Sequence, residues 1–187
     1  MDQLKEDASI YVRKSVANNL NDITKDNPEV VLDLAYRWRG VNPYTDWIIR
    51  QGLRTLIKKA DSKALGLFGY SENTAEFIKS AVLQVEPSVL KIGERCEIKY
   101  QINLNAWEPV HLRIEYGIDF IKANGKANRK IFLLTDKTVA GGTKINGTWS
   151  HSWANLTTRH HYPGKQRIVL LVNGQETAET YLILNSD

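Results

Sequence analysis

Two hydrophobic periods divide the chain. Up to about residue 79 apolar residues return every three or four positions, and from Ala81 onward they alternate with polar ones. In the first segment Val12, Val16, Leu20 and Ile23 form one stripe of an α-helix over residues 11–26, with Asp7 or Ser9 as the cap and Asn27-Pro28 as the stop. At about 100° per residue, Lys14, Asn18, Asn21, Asp22 and Lys25 fall on roughly the opposite side. A second helix follows Pro28, with Val30, Val31, Leu34, Ala35 and Trp38 as its stripe and Gly40 as its close. A third spans residues 45–59, with Trp47, Ile48, Ile49, Leu53, Leu56 and Ile57 inward. A short fourth over 62–68 ends at Gly69. These are two helix-turn-helix pairs, neither able to bury its apolar face alone. They predict stacked HEAT-like repeats over residues 1–72. Such stacks want about three repeats, so the pattern calls for a cap from the second domain or for a preceding segment.

Beyond a polar junction at 71–80 the period is two. Cys96, Ile98, Tyr100, Ile102 and Leu104 alternate with Glu97, Lys99, Gln101 and Asn103, and Val110, Leu112, Ile114, Tyr116 and Ile118 repeat the pattern. Asn124-Gly125 marks a turn before a short apolar strand at 131–134. A strand at 148–153 puts Trp149 and Trp153 on one face. The last two, 167–172 and 178–184, join through Asn173-Gly174. Seven or so short strands predict an antiparallel, immunoglobulin-like β-sandwich over residues 80–187, after the helical domain and separate from it. Tyr162, just before the penultimate strand, stands where such folds place a corner tyrosine. Trp38 and Trp47 read as core or inter-repeat packing, and Trp107, Trp149 and Trp153 as sandwich core or loop packing.

Composition narrows the picture little. The 187 residues are 42% hydrophobic with mean hydropathy −0.37, as in soluble globular proteins. No apolar run reaches the ~20 residues of a membrane span, and the start lacks the apolar region of a signal peptide. Cys96 is the single cysteine, which rules out an intramolecular disulfide and fits a reducing cytoplasm. One cysteine and four histidines give no metal-ligand spacing, and no cofactor motif is present. His160-His161 are neighbours on an extended chain and face opposite ways. The net charge of +4 and isoelectric point near 9.1 are compatible with a phosphate-rich partner. The cations cluster: Lys122, Lys126, Arg129 and Lys130 around the Asn124-Gly125 turn; Arg159, His160, His161, Lys165 and Arg167 around Pro163-Gly164; and Arg50, Arg54, Lys58 and Lys59 on the third helix.

Tyr-Val-Arg-Lys-Ser-Val-Ala-Asn-Asn-Leu-Asn-Asp-Ile-Thr-Lys-Asp-Asn-Pro at 11–28 resembles a signature of the AlkC/AlkD superfamily of DNA alkylation repair proteins, AlkC branch. Trp47-Ile48, the stretch 53–59 (Leu-Arg-Thr-Leu-Ile-Lys-Lys) and Ala64-Leu65 resemble the repeat that follows it there. Residues 118–126 and 158–164 resemble the immunoglobulin-like domain that some members append. The resemblance implies a HEAT-like-repeat DNA glycosylase that hydrolyses cationic N-alkylated purines from duplex DNA without a cofactor, near the nucleoid. Members carry several repeats before the signature, so it also implies a missing front segment.

A purine alkylated at N3 or N7 is already a cation and a good leaving group. The enzyme's task is to stabilise the oxocarbenium-like sugar and present water, which a nearby carboxylate does electrostatically. By resemblance Asp22 is that carboxylate. Asp26 competes but sits near the helix C-terminus, where an acid is disfavoured. Asn19, at the edge of the apolar stripe, reads as a buried amide bonding the neighbouring repeat. Lys14, Asn18 and Asn21 are candidate phosphate donors, and Arg54 with Lys58 continues the track on the next repeat. In the sandwich, Lys122, Lys126, Arg129, Arg159 and Lys165 are candidate DNA contacts on loops. Two alternatives stand beside the glycosylase reading: a non-catalytic DNA-binding or partner subunit, and an interaction module with no nucleic-acid role.

Overall fold

The computed structural model describes residues 2–71, 73–105, 107–157 and 159–186. Met1 and Thr158, which fall in stretches singled out above, lie outside them. Among the described residues the architecture is mixed, with five α-helices followed by two β-sheets, and the chain forms two compact units, Met1–Glu72 and Asn73–Asp187.

In the first unit a 3₁₀ turn at Asp2–Leu4 precedes α1 (Ile10–Ile23), α2 (Pro28–Trp38), α3 (Pro43–Gly52), α4 (Arg54–Lys58) and α5 (Ser62–Leu67). Proline opens α2 and α3, where its missing N–H costs nothing, and the Asn42 carboxamide accepts the Tyr44 and Thr45 amides at the start of α3. No side-chain bond caps α1 from Ser9. Asp7 Oδ1 instead accepts the Ser9 amide at 2.7 Å. The core is Val16, Ala17 and Leu20 of α1 against Val31, Leu32, Ala35 and Trp38 of α2, Ile48 and Ile49 of α3, Leu53, Leu56 and Ile57, and Ala64, Leu65 and Leu67 of α5. The helix expected over 45–59 is broken at Leu53, giving α3 and α4. Gly52 explains the geometry: a Cβ there would lie 3.0 Å from Leu20 Cβ, so α1 approaches α3 through the space glycine leaves. The opening residues are tied down, because Trp38 Nε1 donates to Asp2 Oδ1 (3.0 Å) and the Thr45 hydroxyl to the Lys5 carbonyl (2.9 Å).

The second unit is a sandwich of two sheets. One has the order β1 (Ile78–Glu86), β3 (Arg95–Leu104), β6 (Lys144–Ser152). The other has the order β2 (Val89–Lys91), β8 (Gln175–Asn185), β7 (Gly164–Val172), β4 (Val110–Ile121), β5 (Ala127–Val139). Pairing is antiparallel except that β2 runs parallel to β8, which corrects the all-antiparallel expectation. The strand expected at 131–134 is the middle of the much longer β5. Even-numbered residues of β3 and β4 point inward: Cys96, Ile98 and Ile102 meet Leu112, Ile114 and Ile118, with Ile168, Leu170 and Val172 from β7. Trp149 and Trp153 share this interior as expected, and Trp153 Nε1 donates to the buried Cys96 thiol (3.3 Å). Trp107 does not pack at all. It is 99% exposed on the β3–β4 connection, against the expectation that it fills core or loop. Among the described residues no helix is long and apolar enough to cross a membrane.

Candidate nucleic-acid interface

The first candidate surface lies on α1, α3 and α4. Lys14, Asn18 and Asp22 are exposed along α1, each four residues from the next and so on one stripe. Arg54 opens α4. It donates to the Gln51 carbonyl (2.6 Å) and to Asn18 Oδ1 (3.2 Å), which ties the two helices at this face. Lys58 is exposed one turn on. Lys25 Nζ donates to Asp22 Oδ1 at 2.7 Å, and that bond and charge, with a smaller contribution from Arg54, hold the Asp22 carboxyl below the usual carboxylate range. Asp22 is therefore ionised at neutral pH, as an electrostatic stabiliser of a cationic sugar must be. Asp26 is exposed beyond the helix end.

Two asparagines exchange the roles the sequence suggests. Asn21, expected on the polar side, is 5% exposed, and its Oδ1 accepts the Thr55 hydroxyl at 2.8 Å. It is an inter-helix strut with no free face for a phosphate. Asn19, expected as the buried amide, is exposed. The polar flank of α1 turns Asn21 inward because the helix at 54–58 packs there. The four-residue step Arg50, Arg54, Lys58 is interrupted as well: Arg50 reaches the Tyr70 hydroxyl (2.7 Å) and stacks near the Phe68 ring, away from Arg54's bonds to α1 and α3. Arg13, a conceivable ion-pair partner of Asp22 on α1, turns the other way: it lies 4.2 Å over the Tyr44 ring, 5.9 Å from Trp47, and donates to the Asp7 and Ala8 carbonyls, while Lys25 pairs with Asp22.

The second candidate surface is at the end of the sandwich formed by the β4–β5 hairpin and the segment between β6 and β7. Strand parity decides which cations gather there. Phe120 and Lys122 of β4 and its turn share the core-facing parity with Asn128 and Lys130 of β5. With Ile121, Arg159, His160 and Tyr162 they line a depression of about 430 Å³. Arg159 lies 4.7 Å over the Phe120 ring, and Lys130 lies 5.5 Å from the Phe132 ring. Buried Gln166 holds the two walls together. Its Oε1 accepts the Ile121 amide (3.0 Å), and its Nε2 donates to the Tyr162 carbonyl (3.0 Å). Tyr162 is part-exposed at this rim rather than buried as a corner tyrosine. Lys126 is exposed at the hairpin tip.

Arg129 and Lys165 have the other parity and leave this group. Arg129 spans Asp119 (2.6 and 2.8 Å) and reaches Glu176 (2.5 Å), while Arg167 pairs with Glu176 (2.6 Å) and Glu179. This network lies on the outer face of the larger sheet, over Gly117, and pulls the Asp119 carboxyl down, chiefly through the Arg129 hydrogen bond. Arg129, expected to face DNA, is thus committed to carboxylates in this structure. Lys165 Nζ sits 3.8 Å over the Tyr181 ring. His161 is buried and His160 exposed, opposite ways as expected. No group of metal-binding side chains occurs among the described residues.

Residues 79–186 match the family model described as the C-terminal Ig-like domain of the uncharacterised protein YhaZ. YhaZ of Bacillus subtilis (strain 168) is 43% identical over 175 residues, which is 94% of this chain and 48% of that protein. The solved structure of Pseudomonas fluorescens alkylpurine DNA glycosylase AlkC, bound to DNA containing an abasic-site analogue, matches with a TM-score of 0.89 and 40% identity over 98% of this chain and 51% of that one. The chain thus spans about half the length of the relatives it matches. It belongs to the family defined by the YhaZ C-terminal immunoglobulin-like domain, and its fold as a whole is similar to that of AlkC.

Proposed function

We propose that the chain is the DNA-holding rear half of an alkylpurine DNA glycosylase that acts in DNA alkylation repair. The observation that carries this reading is the extent of the likeness to AlkC: 40% identity at a TM-score of 0.89 over nearly the whole chain. An abasic site, the analogue of which AlkC holds, is what base removal leaves behind. On this reading the helix pairs are HEAT-like repeats ending a longer solenoid, with the domain boundary in the polar stretch after residue 72. The YhaZ immunoglobulin-like domain is C-terminal by its description, so the half of such relatives that goes unmatched precedes the matched part and supplies the front of the site.

Within this chain Asp22 is the carboxylate that faces the sugar of a cationic 3- or 7-alkylated purine nucleotide. Its negative charge is worth most as the oxocarbenium ion develops, and closure by the front repeats would exclude the water that now screens it. Lys14, Asn18, Arg54 and Lys58 hold phosphates of duplex DNA beside it, and Lys122, Lys126 and Arg159 hold phosphates on the sandwich. The work would take place in the cytoplasm, at the nucleoid. Release of 3-methyladenine from alkylated DNA by this chain, joined to the front half of a YhaZ relative, tests the assignment. Asp22→Asn is expected to slow release by about 10²-fold or more, the scale of losing one electrostatic stabiliser. Release unchanged by the substitution removes Asp22 from the chemistry.

One observation favours a second reading, a non-catalytic DNA-binding subunit. Asp22 is solvated and paired with Lys25, as an ordinary surface acid is. That protein binds alkylated DNA and releases no base with any front segment.

A further inference from the structure

We propose that the depression at the end of the sandwich seats one unpaired nucleotide of a DNA strand, its phosphate held by Lys122, Lys130 and Arg159 and its base against Tyr162. The inference rests on the DNA-binding reading above and says which form of DNA this site takes.

Three features lead to it. The first is charge. Among the described residues the lining holds three cations and no carboxylate. The contrast with the adjoining outer face is sharp, since there Arg129 and Arg167 are neutralised by Asp119, Glu176 and Glu179. Arg159 and Lys130 are steadied over the Phe120 and Phe132 rings instead, and a ring quadrupole positions a cation without cancelling its charge. Among the described residues no carboxylate is seen paired with either, so both cations are placed to meet a phosphate. The second is shape. At about 430 Å³ the recess is in the size range of small-ligand sites, roughly 300–1,000 Å³. A duplex presents its phosphates on a ridge and does not need such a recess. The third is the wall. Tyr162 is 37% exposed at the rim, with Asn128 and His160 also in the lining. An aromatic face beside cations is the arrangement that takes unstacked bases. Gln166, 1% exposed, fixes the separation of the hairpin wall from the Tyr162 wall through its two backbone bonds, so the recess is built into the fold.

The test uses the full 187-residue chain. Fluorescence anisotropy measures its affinity for a short labelled single-stranded oligodeoxynucleotide and for a blunt duplex of the same length, with deoxyadenosine monophosphate as competitor. Tyr162→Ala is expected to weaken single-strand binding about tenfold, the effect of one lost stacking contact, with duplex binding within about twofold of the parent. Tyr162→Phe is expected to restore it. Joint replacement of Lys122 and Lys130 by alanine is expected to weaken both and to reduce the salt slope by about 1–2. The proposal is overturned if Tyr162→Ala changes neither affinity or both equally, or if the free mononucleotide competes as well as the strand. Normal duplex binding with an unaffected single-strand arm sinks this proposal alone. Tyr162-dependent single-strand binding with no duplex binding supports it and counts against the glycosylase reading. Binding to neither probe overturns both.

Discussion

Acidification should loosen the sandwich well before its carboxylates titrate, and His151 is the reason. Its imidazole is 8% exposed, with ring centroids of Tyr116, Phe120, Phe132 and Trp153 at 6.4, 6.1, 6.0 and 5.1 Å. Burial, reinforced by the positive charge of His161, Arg159 and Arg95, pushes its pKa down to about 4 from an ordinary 6.5. A base whose folded pKa lies below its unfolded one binds protons preferentially in the unfolded chain. Stability is therefore full above pH 6.5 and falls as pH drops from there toward 4. At 1.36 kcal/mol per unit the complete loss is about 3 kcal/mol, of which roughly 2 kcal/mol is gone by pH 5. His161, also buried and shifted down by burial and Arg159, acts in the same direction. Asp119 and Glu176, whose pKa values are lowered by their arginines, lose their contribution only as pH falls through the carboxylate range, below this window. Hydrogen exchange of β4 and β6 peptides at graded denaturant reads the sandwich separately from the helices. Between pH 7.5 and 5 the parent should lose about 2 kcal/mol more than His151→Phe. Equal losses in the two proteins would place the proton uptake on groups other than His151.

Three further outcomes follow from single contacts. A Cβ at residue 147 would lie 2.2 Å from Tyr100 Cε1, so Gly147→Ala must expel the ring and should lower stability by about 1–3 kcal/mol in thermal unfolding. Asn21→Ala strands the Thr55 hydroxyl, and should cost about 1–2 kcal/mol while leaving DNA affinity within twofold, unlike Lys14→Ala. Arg129→Ala opens the Asp119–Glu176 network and should cost about 1 kcal/mol in denaturant unfolding with no change in the salt slope of DNA binding.

Much of the fold is legible in the chain. The change of period near residue 80, the proline opening α2, and the inward parity of β3 and β4 are all local signals, whereas α3 begins at Pro43, two residues before the start expected at 45. What escaped was set by partners distant in sequence. The close approach of Leu20 to Gly52 joins residues 32 positions apart, and β2 is three residues that pair in parallel with a strand nearly a hundred positions away. Trp107 shows the converse, because its size predicts packing and yet its side chain stands in solvent. The site was half legible. The cation clusters could be read, but grouping them by turn mixed two faces. Parity along β4 and β5 separates Lys122 and Lys130 from Arg129, but residues 127–134 carry no polar and apolar alternation, so that parity comes from the pairing of β5 with β4. The exchange of Asn19 and Asn21 was not legible either, because it depends on how α1 rolls against α3 and α4.

If this chain grips DNA through its phosphates, the decisive quantity is the salt dependence of its affinity for a duplex bearing an abasic-site analogue. The logarithm of affinity should fall linearly with the logarithm of salt, with a slope of about −4.5 to −6 if five to seven cations meet phosphates. The slope should become shallower by about 1 for each of Lys14, Arg54 and Arg159 replaced by alanine. No measurable binding, or binding indifferent to salt, would contradict a grip on phosphates.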